Sequence, residues 1–126
     1  MFLMIPVQVG ERSFYIKLMY LIVAILIMLL GIIHIWITPR IYKSMTQESI
    51  WFVSGGLAVI SNASMNIAML NVKLEPNLLY YFCLVNNLLT LLFSLLLVRV
   101  LPRPQTKLLV GLMFFETLLG LMSKFN

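Results

Sequence analysis

Three stretches of the chain, residues 18–37, 50–72 and 77–98, contain no Asp, Glu, Lys or Arg. A helix rising about 1.5 Å per residue needs about twenty such residues to cross a hydrocarbon layer about 30 Å thick. No water is available there to bond backbone amides and carbonyls, so each run must close its hydrogen bonds internally, as a helix. A fourth apolar run, near 107–124, is interrupted by Glu116. Its Leu, Val and Phe residues contribute about −4 kcal/mol to insertion, against about +3 kcal/mol for a central carboxylate. That span therefore depends on shelter from the other three. Leu and Phe occur all round it, which disfavours a helix lying flat on the membrane. The pattern predicts an all-α membrane protein, a four-helix transmembrane bundle running up-down-up-down, with spans near 18–37, 50–72, 77–98 and 107–124. Residues 1–126 form one transmembrane domain, with residues 1–15 a short N-terminal juxtamembrane segment.

Composition excludes the soluble alternatives. The chain is 62% hydrophobic and 10% charged, whereas a soluble domain is about half apolar and about a quarter charged. A net charge of +5 would suit nucleic acid if the cations were clustered, but they lie almost entirely between the apolar runs. That is the headgroup level, so the implied partner is a lipid bilayer and not nucleic acid. Cys83 is the one cysteine, which leaves no intramolecular disulfide and no thiol pair. The first run is too long for a signal-peptide core and ends in His34-Ile35-Trp36, so it reads as a retained helix. Arg12, Lys17, Lys73 and Lys124 fall on one side of a four-span chain, and Arg40, Lys43, Arg99, Arg103 and Lys107 on the other. Four cations against five is a small excess that leans toward loops 1 and 3 in the cytoplasm and leaves insertion in both orientations open.

The breaks follow local chemistry. Pro39 and Pro76 cannot donate a backbone hydrogen bond and bias the preceding residue away from helix. The first span should stop near Thr38, and the second near Lys73-Leu74-Glu75-Pro76. Trp51, Phe52, Tyr80 and Tyr81 stand near the span entrances, where amphipathic rings prefer the interface.

Polar residues inside the spans are the functional leads, because a polar atom in hydrocarbon costs several kcal/mol unless it finds a partner or a cavity. On the second span Ser54, Ala58, Asn62 and Asn66 recur at helical spacing, with Gly55, Ser61 and Met65 alongside. On the third, Cys83, Asn87, Thr90 and Ser94 do the same, with Asn86 at a flank. Both stripes should face protein, with Ser54, Gly55, Ala58, Ser61, Thr90 and Ser94 as helix-packing positions. Counting rise per residue brings Asn62, Asn87 and Glu116 to a similar depth near mid-membrane. Small and amide residues there serve as helix glue. The sharper alternative is a polar cavity built from Glu116, Asn62, Asn66 and Asn87, in which Glu116 titrates and couples proton movement to a ligand. His34, near the end of the first span, shares a membrane side with Glu48 and Trp51; a His with a carboxylate nearby would suit interfacial acid-base catalysis, whereas a lone His at a helix end more often caps carbonyls or bonds a headgroup. One His, one Cys and scattered acids assemble no metal site, and Ser54-Gly55-Gly56 lacks the Lys of a phosphate loop, so no cofactor is expected.

The order Gly31, His34, Thr38-Pro39, Trp51-Phe52, Gly55-Gly56, Ala58, Asn62, Asn66 resembles a group of short, uncharacterised four-span bacterial membrane proteins, over residues 18–70. The resemblance implies a fold and a bacterial inner membrane, and no activity. In length, span number, embedded Glu and near-even charge the chain is also similar to small multidrug resistance transporters. There, however, the Glu lies in the first helix, whereas Glu116 is in the last, so neither the substrate site nor the antiparallel pairing carries over. The expectation is a non-enzymatic packing or accessory module, as a homo-oligomer or within a larger membrane complex. The alternatives are a small proton-coupled transporter using Glu116 and an interfacial enzyme using His34 and Glu48.

Overall fold

A computed structural model describes residues 11–71 and 77–124. The described elements are α1 (Glu11–Trp36), α2 (Thr38–Ile41), α3 (Gln47–Asn71), α4 (Asn77–Val100) and α5 (Pro104–Lys124). Four of them are long and apolar enough to cross a membrane. The protein is a multi-pass four-helix bundle, with α1, α3, α4 and α5 alternating in direction. Lys73, Glu75 and Pro76 lie outside the described residues, as do Val72 and most of the juxtamembrane segment. Within that segment α1 already begins at Glu11, seven positions before the first uncharged run. Helical hydrogen bonds continue past the edge of hydrocarbon, because Lys17 can lay its stem along the helix and keep its ammonium at headgroup level.

Pro39 does not simply end the first helix. It occupies the first turn of α2, where the missing N–H would have had no partner in any case. Ile37 still bonds the Ile33 carbonyl at 3.0 Å, and the Thr38 hydroxyl donates to the His34 carbonyl at 3.0 Å. The carbonyls of Ile33 and His34 near the end of α1 are thereby satisfied. The start of α3 is a reciprocal cap. Thr46 Oγ1 accepts the Ser49 amide at 3.2 Å, and Ser49 Oγ accepts the Thr46 amide at 2.9 Å. Glu48 in that first turn complements the helix dipole. At α5 the Thr106 hydroxyl turns back to the Arg103 amide at 3.1 Å, with Pro104 at the first helical position.

The helices form a ring. α1 packs on α3 and α5, and α4 packs on the same two, so that α1 and α4 stand diagonally. The tightest seam is α1 on α3, through Gly31 and Gly56. A β-carbon on Gly31 would lie 3.0 Å from the Gly56 carbonyl oxygen, and one on Gly56 would lie 3.1 Å from the Gly31 oxygen and 2.6 Å from Ile35. Only two glycines let the backbones meet this closely. Two apolar clusters fill the interior. Ile16, Tyr20, Met69, Cys83 and Leu119 lie toward the end where α1 begins. Ile27, Ala63, Leu109 and Met113 lie toward the other. Outward positions such as Ile22, Leu29 and Ile33 on α1, and Val85, Leu89 and Phe93 on α4, are exposed and meet lipid.

This packing corrects the α3 stripe. Asn62 and Asn66 are buried, but Ser54, Ala58 and Ser61 are exposed on the chain's outer surface. The inward positions between them are Gly56 and Ala63. Gly55 is partly covered, and a β-carbon on it would meet only the His34 ring, at 3.8 Å. The physical reason is the Gly31–Gly56 crossing, which rotates α3 so that Gly56 faces α1. On α4, Ser94 is fully buried and Thr90 half-buried. Gly56→Val should therefore lower stability by about 1–3 kcal/mol through forced separation of α1 and α3. Gly55→Ala should stay within about 0.5 kcal/mol of the parent. Unfolding of the two variants in mixed detergent micelles checks the contrast.

Candidate functional site

Between the two apolar clusters lies a layer of buried polar side chains contributed by all four long helices: Tyr20 from α1, Asn62 and Asn66 from α3, Asn87 from α4 and Glu116 from α5. Asn62 and Asn66 stand one turn apart on the inward face of α3, so both amides reach α4. Asn66 and Asn87 form a reciprocal amide pair. Asn66 Nδ2 donates to Asn87 Oδ1 at 2.8 Å, and Asn87 Nδ2 donates back to Asn66 Oδ1 at 2.9 Å. Asn87 Oδ1 also accepts from Asn62 Nδ2 at 2.9 Å, and the same Asn62 nitrogen reaches Thr90 Oγ1 at 3.5 Å. The second hydrogen of Asn66 Nδ2 goes to the Asn62 carbonyl at 2.8 Å. Tyr20 completes the network from the α1 side by donating its hydroxyl to Asn66 Oδ1.

The amide network is thus spent on itself. The Cys83 thiol adds a further α4-to-α3 contact, at 3.5 Å from the Met65 carbonyl. The hydroxyls of Ser94 and Thr117 are absorbed by their own helices, on the carbonyls of Leu91 and Met113 at 2.8 Å each. Beside the network is a narrow void lined by Tyr20, Met69, Tyr80, Cys83, Asn87 and Gly120, too tight to admit a water molecule. Among the described residues Asn62, Asn66 and Asn87 bond one another directly, and the void beside them is too small for the ligand-sized cavity anticipated there.

Glu116 is the exception. It is fully buried, and neither carboxyl oxygen has a hydrogen-bond partner. The structure joins Asn62 to Asn87 directly, but no hydrogen bond joins either to Glu116. Tyr20 and Cys83 belong to the buried cluster beside it, together with Leu119 of α5.

His34 meets a backbone carbonyl and no carboxylate. Its Nε2 lies 2.8 Å from the Phe52 carbonyl oxygen, and its ring stacks on Phe52 with centroids 3.7 Å apart. Tyr42 packs edge-on against the same Phe52. Glu48 is exposed in the first turn of α3, and among the described residues no hydrogen bond or ion pair joins it to His34. The imidazole pins the end of α1 to the start of α3. Arg40 lies over the Trp36 ring at 5.0 Å, a cation on an interfacial aromatic. Among the described residues no group of three His, Cys, Asp or Glu side chains is placed to hold a metal ion.

Sequence reasoning assigned no bonding or packing role to three participants: Tyr20, Gly31 and Gly56. Tyr20 stands only two residues inside the first apolar run, where a ring at the interface is ordinary, so its one signal was that a tyrosine hydroxyl, if buried, requires a partner. The signal for the glycines was their place inside spans, where glycine costs helix stability unless something needs the room. No family model, no curated protein and no solved structure matches the chain.

Asn66→Ala and Asn87→Ala should each destabilise by about 1–3 kcal/mol, since each leaves buried donors or acceptors orphaned. The double variant should cost less than the sum, because both remove the same pair. Unfolding of the four-member cycle in one detergent mixture tests this, and strict additivity would contradict the reciprocal pair.

Proposed function

We propose that the chain is a non-enzymatic membrane module that self-associates or joins a larger membrane assembly. The observation that carries this reading is the division of polar side chains on α3. The inward amides are consumed by Tyr20 and Asn87 within the chain, leaving little free hydrogen-bonding capacity for a ligand. The outward face instead presents Ser54, Ala58, Ser61, Ser64 and Ala68. Small side chains on an outer surface suit close approach of another helix, whereas a face selected for lipid alone has no need of them. The resemblance over residues 18–70 supports a bacterial inner membrane, and the charge excess in loops 1 and 3 supports their cytoplasmic placement.

Glu116 favours a second reading, a small proton-coupled transporter. An unpartnered carboxyl in the middle of a membrane bundle is costly, and such groups mark proton relays and ion pathways. In that reading the closed interior corresponds to an occluded state.

One pair of measurements separates the two. Mass measurement from lipid nanodiscs should give complexes containing more than one chain. Ala58→Phe should shift them toward the single chain without altering its unfolding. A chain that is monomeric in bilayers, and that carries a proton-driven flux abolished by Glu116→Gln, would replace the module by the transporter.

A further inference from the structure

Tyr20 and Glu116 share a detail that neither helix glue nor a flux mechanism requires. Asn66 Oδ1 accepts two hydrogen bonds, one from the Tyr20 hydroxyl and one from Asn87 Nδ2 at 2.9 Å. A carbonyl oxygen has two lone pairs, but one donor suffices to keep it satisfied. Of the two donors Tyr20 is the dispensable one: if its hydroxyl turns away, Asn87 still holds Asn66 and the α3–α4 seam stays closed. Tyr20 also stands against α5, its hydroxyl 3.2 Å from where a β-carbon on Gly120 would lie. Gly120 is one turn beyond Glu116 on the same face of that helix. Both residues are fully buried or nearly so, and both oxygens of Glu116 lack a donor.

We infer that Glu116 is a proton-binding site and that Tyr20 is its switching donor, shared between Asn66 when the carboxyl is protonated and Glu116 when it is ionised. The carboxyl proton leaves to the medium. The Tyr20 O–H keeps its own proton and only reorients, so Glu116 alone changes charge. A desolvated carboxylate without a donor would be far too costly to persist, and a phenol hydroxyl is the strongest neutral donor that the surroundings offer.

The other groups facing the site do not compete for this role. α4 presents Cys83, a weak donor whose thiol is directed to the Met65 carbonyl, and Tyr80 lies beyond it beside Tyr20. α3, diagonal to α5, presents only the amides of Asn62 and Asn66. On α5 itself Lys107 is exposed near the start of the helix. On α1 Lys17 stands three residues nearer the helix start than Tyr20, and among the described residues no cation lies within hydrogen-bonding distance of the carboxyl. The void between Tyr20, Cys83, Asn87 and Gly120 gives the hydroxyl room to turn. Met69 and Tyr80, near the end of α3 and the start of α4, also line that void.

Proton binding is needed for the transporter reading but does not depend on flux, and it is compatible with the module as well. The test is therefore made on binding. Protein reconstituted in phosphatidylcholine vesicles is treated with dicyclohexylcarbodiimide. This lipid-soluble reagent condenses with a protonated carboxyl: the carboxyl oxygen bonds the carbodiimide carbon, and the proton passes to its nitrogen. Peptide mass spectrometry should place the adduct on Glu116, and labelling should be lost as the pH is raised and the carboxyl ionises. Glu116→Gln should lose that adduct. Tyr20→Phe, which keeps the ring and removes the donor, should retain labelling across the range where the parent loses it. Labelling of Glu116 that does not vary with pH would overturn the proton site. A Tyr20→Phe profile superposable on the parent would overturn the switching donor. Loss of flux in any variant with labelling unchanged would bear on the transporter reading alone.

Discussion

The Asn66–Asn87 amide pair is the interaction on which the arrangement of this bundle turns, because a polar group in hydrocarbon has no solvent to fall back on. An unpaired amide there costs several kcal/mol, so the pair forms in a single register of α3 against α4. That matters because α3 and α4 make the loosest of the four helix contacts. Apolar side chains against lipid-like neighbours discriminate poorly between registers, since lipid tails are as apolar as leucine. Directional hydrogen bonds do discriminate. The chain places its amides at the seam where packing alone is least able to fix the geometry.

A different device fixes α1 against α3. There the backbones touch at Gly31 and Gly56, and close packing replaces hydrogen bonding. The crossing is reinforced at one end by His34 on the Phe52 carbonyl and, deeper in the bundle, by Tyr20 on Asn66. With α1 and α4 both secured to α3, α5 closes the ring between them, and Glu116 is carried inward between the two apolar clusters. The insertion estimate already made this span the one most in need of the others. Its burial resolves the exposure to lipid but leaves the carboxyl without a donor, which is why the functional question concentrates at that residue.

Helical spacing made several of these residues legible and misplaced others for one reason. The recurrence of Asn62 with Asn66, and of Cys83, Asn87, Thr90 and Ser94, identified genuine faces, and Asn62 does meet Asn87 at 2.9 Å. Extending the α3 stripe to Ser54, Ala58 and Ser61 failed because those positions lie to one side of the buried line through Gly56 and Ala63. Adjacent residues differ by about 100° around a helix, so a stripe read one position off points out of the four-helix interior instead of into it. His34 and Glu48 share a membrane side, as counted along the chain. Which carbonyl the imidazole would reach depended on Phe52 stacking beneath it, and no spacing encodes that.

By itself the sequence determined the solvent, the number of crossings and their alternation. Those follow from the length of uncharged runs and from the need of every backbone group in a bilayer for an internal partner. It also determined that Asn62, Asn66, Asn87 and Glu116 must be sheltered, since their desolvation cost is a property of the side chains. Only the tertiary structure decided which of them would be satisfied. Satisfaction depends on helix rotation and separation to within a few tenths of an ångström, set here by two glycines in contact and one pair of amides. That geometry gave every amide a partner and left the carboxyl of Glu116 with none.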